Sequence, residues 1–372
     1  MSKKKNKQNK KNKDGGTVAA IAGLSGALTT ALTGFSNRTG NSDAVTQITL
    51  ILLAVIILIA VLVIVISAKR TKRKNEAARR EKEAKRREEE ENLDTGKLDL
   101  LISEIKRISE TPAFRIKPEK ADDIGISESK FGGYPYWEEK DEYPHGADGK
   151  PLYLLAQINF AELPEKNSLL PEKGLLQIFV SGDVCSGANF DNQTDQSNFR
   201  VIYHAEIDAS VTEQSVKALG IKAPGDAKGT EDEDYLPLST QERLSFEAFT
   251  DYSQFGTDEC DALVEKILHE KFGIELIDGS VWKTFNDAEY DYLTNAFEKL
   301  WCSKILGHAE FTQSDPRSWG KYDAEHYNTL LLQIDSDDEI MWGDCGIANF
   351  FMNSEALQSL DFSDVLYNWD CY

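Results

Sequence analysis

The chain is 372 residues long, 28 % of them charged, with a formal net charge of −21. An excess of acid on this scale repels nucleic-acid backbones. The five cysteines (Cys185, Cys260, Cys302, Cys345 and Cys371) stand singly, which sets aside zinc and dithiol chemistry and fits a reducing cytosol. The net figure hides a polarity: residues 1–92 hold 19 Lys and Arg against 9 Asp and Glu, whereas residues 93–372 hold 23 against 54.

Residues 1–46 are basic, with Lys3, Lys4, Lys5, Lys7, Lys10, Lys11 and Lys13 ahead of a weakly apolar segment at 17–35. Within that segment Ala19, Gly23, Ala27 and Ala31 recur at every fourth position, a spacing that lets helices approach closely in lipid and would serve a homo-oligomer. A continuous apolar run follows from Leu50 to Ile66. With its neighbours the run reaches about 20 residues, which at about 1.5 Å each matches a hydrocarbon core of about 30 Å. A transmembrane helix is therefore expected over 47–68. Eleven basic residues stand between Lys69 and Arg87, and the positive-inside rule places that side in the cytoplasm. Two topologies satisfy the charges: a single span at 47–68, or a hairpin in which 17–35 also crosses. Each puts the chain in a plasma or inner membrane, in contact with lipid, and leaves the acidic part inside.

Residues 69–96 read as a charged helical stem, coiled-coil-like in composition, with Glu76–Arg80, Glu81–Lys85 and Glu83–Arg87 spaced i, i+4. From Lys97 to Ser109, Leu98, Leu101, Ile102, Ile105 and Ile108 share one helical face and open a globular unit at 97–372. Strands are expected at Pro151–Phe160, Gly174–Val180, Phe199–Ile207, Thr329–Asp335 and Gly346–Met352. Helices are expected at Ser210–Leu219, where Ser210 and Glu213 would form a capping box, at Asp258–Phe272, at Asp287–Trp301 and at Asn353–Leu360. Ala223–Pro237, with its Glu231–Asp234 run, reads as a solvated loop. Strands grouped together with helices between them define an α+β fold of mainly antiparallel sheets.

Three short words recur in order. Ser129-Lys130-Phe131-Gly132-Gly133, Leu154–Asn159 and Gly174–Phe179 are echoed by Ser303–Gly307, Leu331–Asp335 and Gly346–Phe351. An internal duplication is expected, with halves at about 97–220 and 240–372. The words SKFGGYPYW (129–137), PLYLLAQINF (151–160), KGLLQIFVS (173–181), NFRVIYH (198–204), FTQSDPR (311–317), LLLQIDSD (330–337), WGDCGIANFF (342–351) and DFSDVLYNWDC (361–371) closely resemble the YwqG-like family, a bacterial domain of unknown function. The resemblance implies a duplicated α+β fold and brings no established activity. Some relatives stand beside toxin genes, which implies an immunity or accessory role. Gly307-His308 departs from the Gly-Gly-aromatic turn seen at Gly132-Gly133-Tyr134.

No catalytic constellation emerges, and no cofactor is expected. Gln157 and Gln333 stand at matching places within Leu/Ile strands, where an unpaired amide would cost about 1–3 kcal/mol. Either they bond neighbouring backbone or each other, or they line a groove between the halves with Asn159, Asp335, Trp342 and Asp344. Asp335, Asp337, Asp338 and Asp344 are candidate ligands for a divalent ion, although the run lacks the glycine of an EF-hand loop. The thiol of Cys345 would need a base such as His308 or His326 to act as a nucleophile. As a structural residue it is a small filler at a strand start. Three functions compete: a membrane-tethered cytoplasmic module that binds a basic protein partner, an enzyme using Asp344 or Asp335 with Cys345 or a divalent ion, and a scaffold whose stem oligomerises and positions the domain.

Overall fold

The computed structural model describes residues 42–230, 235–297 and 302–372. The basic leader, the 17–35 segment with its small-residue stripe, the Glu231–Asp234 run and positions 298–301 of the expected helix at 287–301 lie outside the described residues. The chain divides into two compact units between Glu91 and Asn92.

The first unit contains α1 (Ser42–Glu91), one helix of 50 residues. Among the described residues it is the one helix long and apolar enough to cross a membrane. Its apolar side chains face outward, with Leu58 72 % and Ile64 66 % exposed. Such a surface is costly in water and is at home among lipid tails. In its charged part, Lys72–Glu76, Arg79–Glu83, Lys85–Glu89 and Arg86–Glu90 pair with the base first. Exposed pairs of this kind contribute little.

The second unit opens with α2 (Thr95–Ser109), started by Asp94, whose side chain accepts the Lys97 N–H. Leu98, Leu101 and Ile105 are buried, while Ile108, at the margin of the stripe, is 45 % exposed. Ten strands follow. They are β1 (Thr111–Lys120), β2 (Lys130–Gly132), β3 (Tyr153–Asn159), β4 (Leu175–Val180), β5 (Phe199–His204), β6 (Gln241–Asp251), β7 (Lys304–Ile305), β8 (Thr329–Asp335), β9 (Ile347–Met352) and β10 (Val365–Asp370). All join one antiparallel sheet in the order β10-β9-β8-β7-β1-β6-β2-β3-β4-β5. The α+β class with antiparallel pairing is as expected from sequence.

Exchanging β1–β5 for β6–β10 turns this order into its own reverse. Each half therefore sends its first strand into the other half's side of the sheet: β1 pairs with β7, and β6 with β2. The two exchanged strands pair with each other from Thr111↔Asp251 to Lys120↔Glu242. Neither strand is among those read from sequence. Pro112 and Pro118 interrupt β1; among the described residues the β7 segment meets β1 between them, at Phe114, Arg115 and the Ile116 N–H, which donates to the Ser303 carbonyl.

The sheet curls around one core that includes Phe114, Phe131, Ile178, Leu332 and Phe350. Phe199 of β5 lies 5.2 Å from Tyr367 of β10, so the two edge strands approach across that core. On the β5 side, α3 (Glu213–Ala218) starts at Thr212, in a capping box with Ser215. Ser210, expected as the cap, is held instead in a turn by Asp208. Between β6 and β7 a helical insertion forms a second core against α2 through Leu98, Ile105, Val264, Ile267 and Leu293. It comprises α4 (Asp258–Ile267), a π-helical turn at Leu268–Phe272, α5 (Val281–Thr284) and α6 (Asp287–Asn295). The short α7 (Ser354–Gln358) links β9 to β10.

The strand exchange carries a consequence for fragments. Residues 92–236 expressed alone should be insoluble or unfolded, and co-expression with 237–372 should yield a soluble one-to-one complex. Circular dichroism and size-exclusion chromatography would check both outcomes.

Candidate functional site

The outer face of the sheet carries matched polar rows. Lys130 stands opposite Gln157 and Gln157 opposite Gln177. In the other half, Lys304 stands opposite Gln333 and Gln333 opposite Asn349. Gln157, Gln177, Gln333 and Asn349 are all fully buried. Each amide closes on the segment crossing its own half. Gln157 Oε1 accepts Tyr136 N–H at 2.9 Å, and its Nε2 donates to the Ile126 and Glu128 carbonyls at 2.9 and 2.8 Å. Gln177 Nε2 donates to the Tyr136 carbonyl at 2.8 Å. Glu310 takes the place of Tyr136 in the second half. Its N–H donates to Gln333 Oε1 and its carbonyl accepts Asn349 Nδ2–H, each at 2.8 Å. Gln333 Nε2 donates to the Cys302 carbonyl at 2.8 Å. Burial demands such partners; besides these backbone bonds, Gln177 Nε2 donates to Gln157 Oε1 at 2.8 Å, and Gln177 Oε1 meets the His204 ring at 2.9 Å.

The two halves differ in charge. Lys130 Nζ donates only to the Gly125 and Ile126 carbonyls, each at 3.2 Å, and burial pulls its pKa down to about 8. In the second half Lys304 Nζ donates to Asp251 Oδ2 at 2.9 Å, with both side chains 1 % exposed. The same Asp251 oxygen accepts the His308 N–H at 3.0 Å. The His308 ring faces Glu259 Oε1 from Nδ1 at 2.8 Å and the Ser109 carbonyl from Nε2 at 2.6 Å, two acceptors that favour the imidazolium. Burial opposes that charge, but Glu259, the Ser109 carbonyl and Asp251 outweigh it and raise the pKa. Glu310, buried beside Lys304, Asp251 and Asp335, is pushed up to about 7, mainly by burial.

The turn before this centre keeps the shape of its counterpart. Gly132 and Gly133 have φ of 62° and 70°, and Leu306 and Gly307 have 61° and 84°. Leucine thus sits in left-handed backbone that glycine adopts freely. The departure at Gly307-His308 leaves the turn intact and inserts a cation that ties α2 and α4 to the sheet. Sequence reading missed Lys304, Asp251, Glu259 and Glu310 as a group; His308, standing where an aromatic residue was expected, was its one visible trace.

The residues singled out from sequence fall in several places. Asn159 lies near Gln157, donating to the Ser127 carbonyl at 3.0 Å. Asp335 lies near Gln333, its N–H held by Ser303 Oγ at 3.0 Å, and burial raises its pKa. Trp342 belongs to the inner core, 1 % exposed, with an indole N–H that has no partner among the described residues. Asp344 and Cys345 are exposed on the following turn. Among the described residues no three His, Cys, Asp or Glu side chains form a group that could hold a metal ion, at Asp335, Asp337, Asp338 and Asp344 or elsewhere. Asp337 Oδ1 instead accepts the Glu339 and Ile340 N–H groups, each at 2.8 Å. His308 is engaged as above, and His326 meets Asp364 at 2.8 Å, so carboxylates hold both imidazoles considered for Cys345. At the end of the β1–β6 pair, Glu242 is 5 % exposed with an unpartnered Oε2. Burial, with Asp337 and Glu339 nearby, pushes it up to about 7.

Residues 129–371 match the family described as Domain of unknown function (DUF1963), and the chain belongs to that family. The YwqG-like resemblance is consistent with this match. No curated protein matches the chain.

Two predictions follow from the charged centre. Lys304→Met should destabilise the second unit by about 3–5 kcal/mol in denaturant unfolding, because it strands the Asp251 carboxylate in the interior. The His308 contribution, arising from a raised pKa, should be complete below about 6.5, the ordinary histidine value, and be lost as pH rises through the folded value. In His308→Phe, the slope of stability against pH in that window should flatten.

Proposed function

We propose that this chain is a membrane-anchored binding module whose acidic body faces the cytoplasm and holds a basic protein partner, as an immunity-type or accessory protein would. The observation that carries this reading is the division of charge. A helix long and apolar enough to span a bilayer precedes residues 93–372, which hold 54 acidic residues against 23 basic. A field of one sign steers partners of the opposite sign and turns away nucleic acid. The eleven basic residues after the apolar run support a cytoplasmic body.

We also read the body as a YwqG-like domain that arose by internal duplication. The mirrored strand order supports this, as do the matching left-handed turns and the Lys–Gln–amide rows of the two halves. The duplicated positions are filled by structural bonds, which directs attention to the surface for binding.

Affinity capture tests the proposal. The full chain, purified in detergent from its own cells at about 50 mM salt, should retain a basic protein. Raising salt to about 500 mM, where the Debye length falls below about 5 Å, should release it. Retention of no protein at low salt, or retention indifferent to salt, would contradict the reading.

A further inference from the structure

The edge strands β5 and β10 approach each other across a seam that strand pairing does not close. Along part of it the β4–β5 connection forms the bridge. Tyr367 N–H donates to the Gln193 carbonyl at 2.9 Å, and Trp369 Nε1–H to the Cys185 carbonyl at 2.7 Å. Beside β5 itself the bridge is a side chain. Gln196 Oε1 accepts the Val201 N–H at 3.1 Å, and its Nε2 donates to the Phe362 carbonyl at 2.8 Å. A carboxamide there does what the peptide group of an added strand would do, with its acceptor toward β5 and its donor toward the facing segment.

Next to this amide lies a shallow groove of about 390 Å³, lined by Gln196, Arg200, Val201, Tyr203, Leu360 and Phe362 together with Ser363. Alternation along an antiparallel strand aims the N–H and C=O of Tyr203 to the same side as the Val201 N–H, away from β4. Neither Tyr203 group has a backbone partner among the described residues. Leu360, 39 % exposed, and Phe362 supply an apolar wall. Tyr203 packs on Phe362 with ring centroids 5.9 Å apart.

We propose that this seam is a docking slot for an extended basic peptide, which pairs with the free edge of β5 as an additional strand. With the Val201 N–H held by Gln196, main-chain bonds to the Tyr203 N–H and carbonyl and to the Val201 carbonyl supply the pairing, and alternate side chains meet the Leu360–Phe362 wall. The basic character follows from charge complementarity. Asp195 and Asp361 stand beside lining residues in the sequence, and the body carries more than twice as many acidic as basic residues. Arg200, the one basic lining residue, donates from Nε to the Gln196 carbonyl at 3.3 Å. The inference rests on the proposed binding of a basic protein and names the surface that does it.

The test uses the full chain in detergent micelles and a fluorescent eight-residue peptide of alternating Lys and Val. A second peptide of the same sequence, N-methylated at every other amide, keeps the charge and cannot pair as a strand. The slot predicts at least about tenfold weaker binding of the methylated peptide. It predicts a similar loss with Tyr203→Pro, which removes the edge N–H, and with Ser363→Arg, an exposed position where the new side chain fills the groove with like charge. Equal binding of the two peptides, no binding of either, or full affinity in Ser363→Arg would overturn the slot. If a basic partner is captured by the full chain while the two peptides bind alike, the slot is wrong and the broader reading stands. If the peptides are discriminated and capture fails, the converse holds.

Discussion

The antiparallel pairing of β1 with β6 is the constraint on which the rest of this domain depends, because each strand is inserted beside the strands of the other half. Their register runs from Thr111↔Asp251 to Lys120↔Glu242 and fixes where every buried polar group can be met. Lys304 lies opposite Arg115 of β1 and reaches Asp251 of β6. Lys130 lies opposite Arg243 of β6. A one-residue slip would turn each of these side chains to the opposite face of the sheet. The Lys304–Asp251 pair joins β7 to β6 with β1 lying between them, and His308 reaches back to the Ser109 carbonyl. The charged centre of the second half is thus assembled around strands of both halves, whereas Lys130 bonds carbonyls of its own half.

The same framework holds two chemically different centres. In the first half, amides and carbonyls meet with Lys130 as the one buried cation, so no ion pair needs to be buried with it. In the second half, Lys304, Asp251, His308 and Glu259 form a chain of charge that spans β7, β6, the following turn and α4. Desolvating such groups is expensive, and a buried pair is weak evidence of net stability. What the chain of charge does is fix the helical insertion to the sheet at a unique orientation: the His308 ring bonds both α2 and α4.

Much of the fold was legible in the sequence, for physical reasons that differ by element. Strands β3, β4, β5, β8 and β9 are short runs of Leu, Ile, Phe and Val bounded by turn residues, and they form within a few residues of their expected places. β1 and β6 were not legible. Their alternation is masked by proline and by charged residues, and what makes them strands is each other, a pairing across more than 120 residues. Gln157 and Gln333 were legible as buried amides from their apolar neighbours, but the identity of their partners depended on segments with no regular pattern. The charged centre was invisible for the same reason: Ser109, Asp251, Glu259 and His308 are scattered in sequence and converge only through the exchanged strands. The Gln196 bridge left no signal, because one glutamine in a polar loop reads as solvated.

On the proposed reading the acidic body concentrates basic partners and the apolar helix holds that attraction at a membrane surface. The measurement that tests this most directly is protease accessibility of residues 92–372 on the two sides of the membrane. The account predicts that the body is protected in intact cells, is digested in inverted membrane vesicles, and sediments with membranes after high-salt washing. Digestion from outside intact cells, or recovery of the body in the soluble fraction, would contradict it.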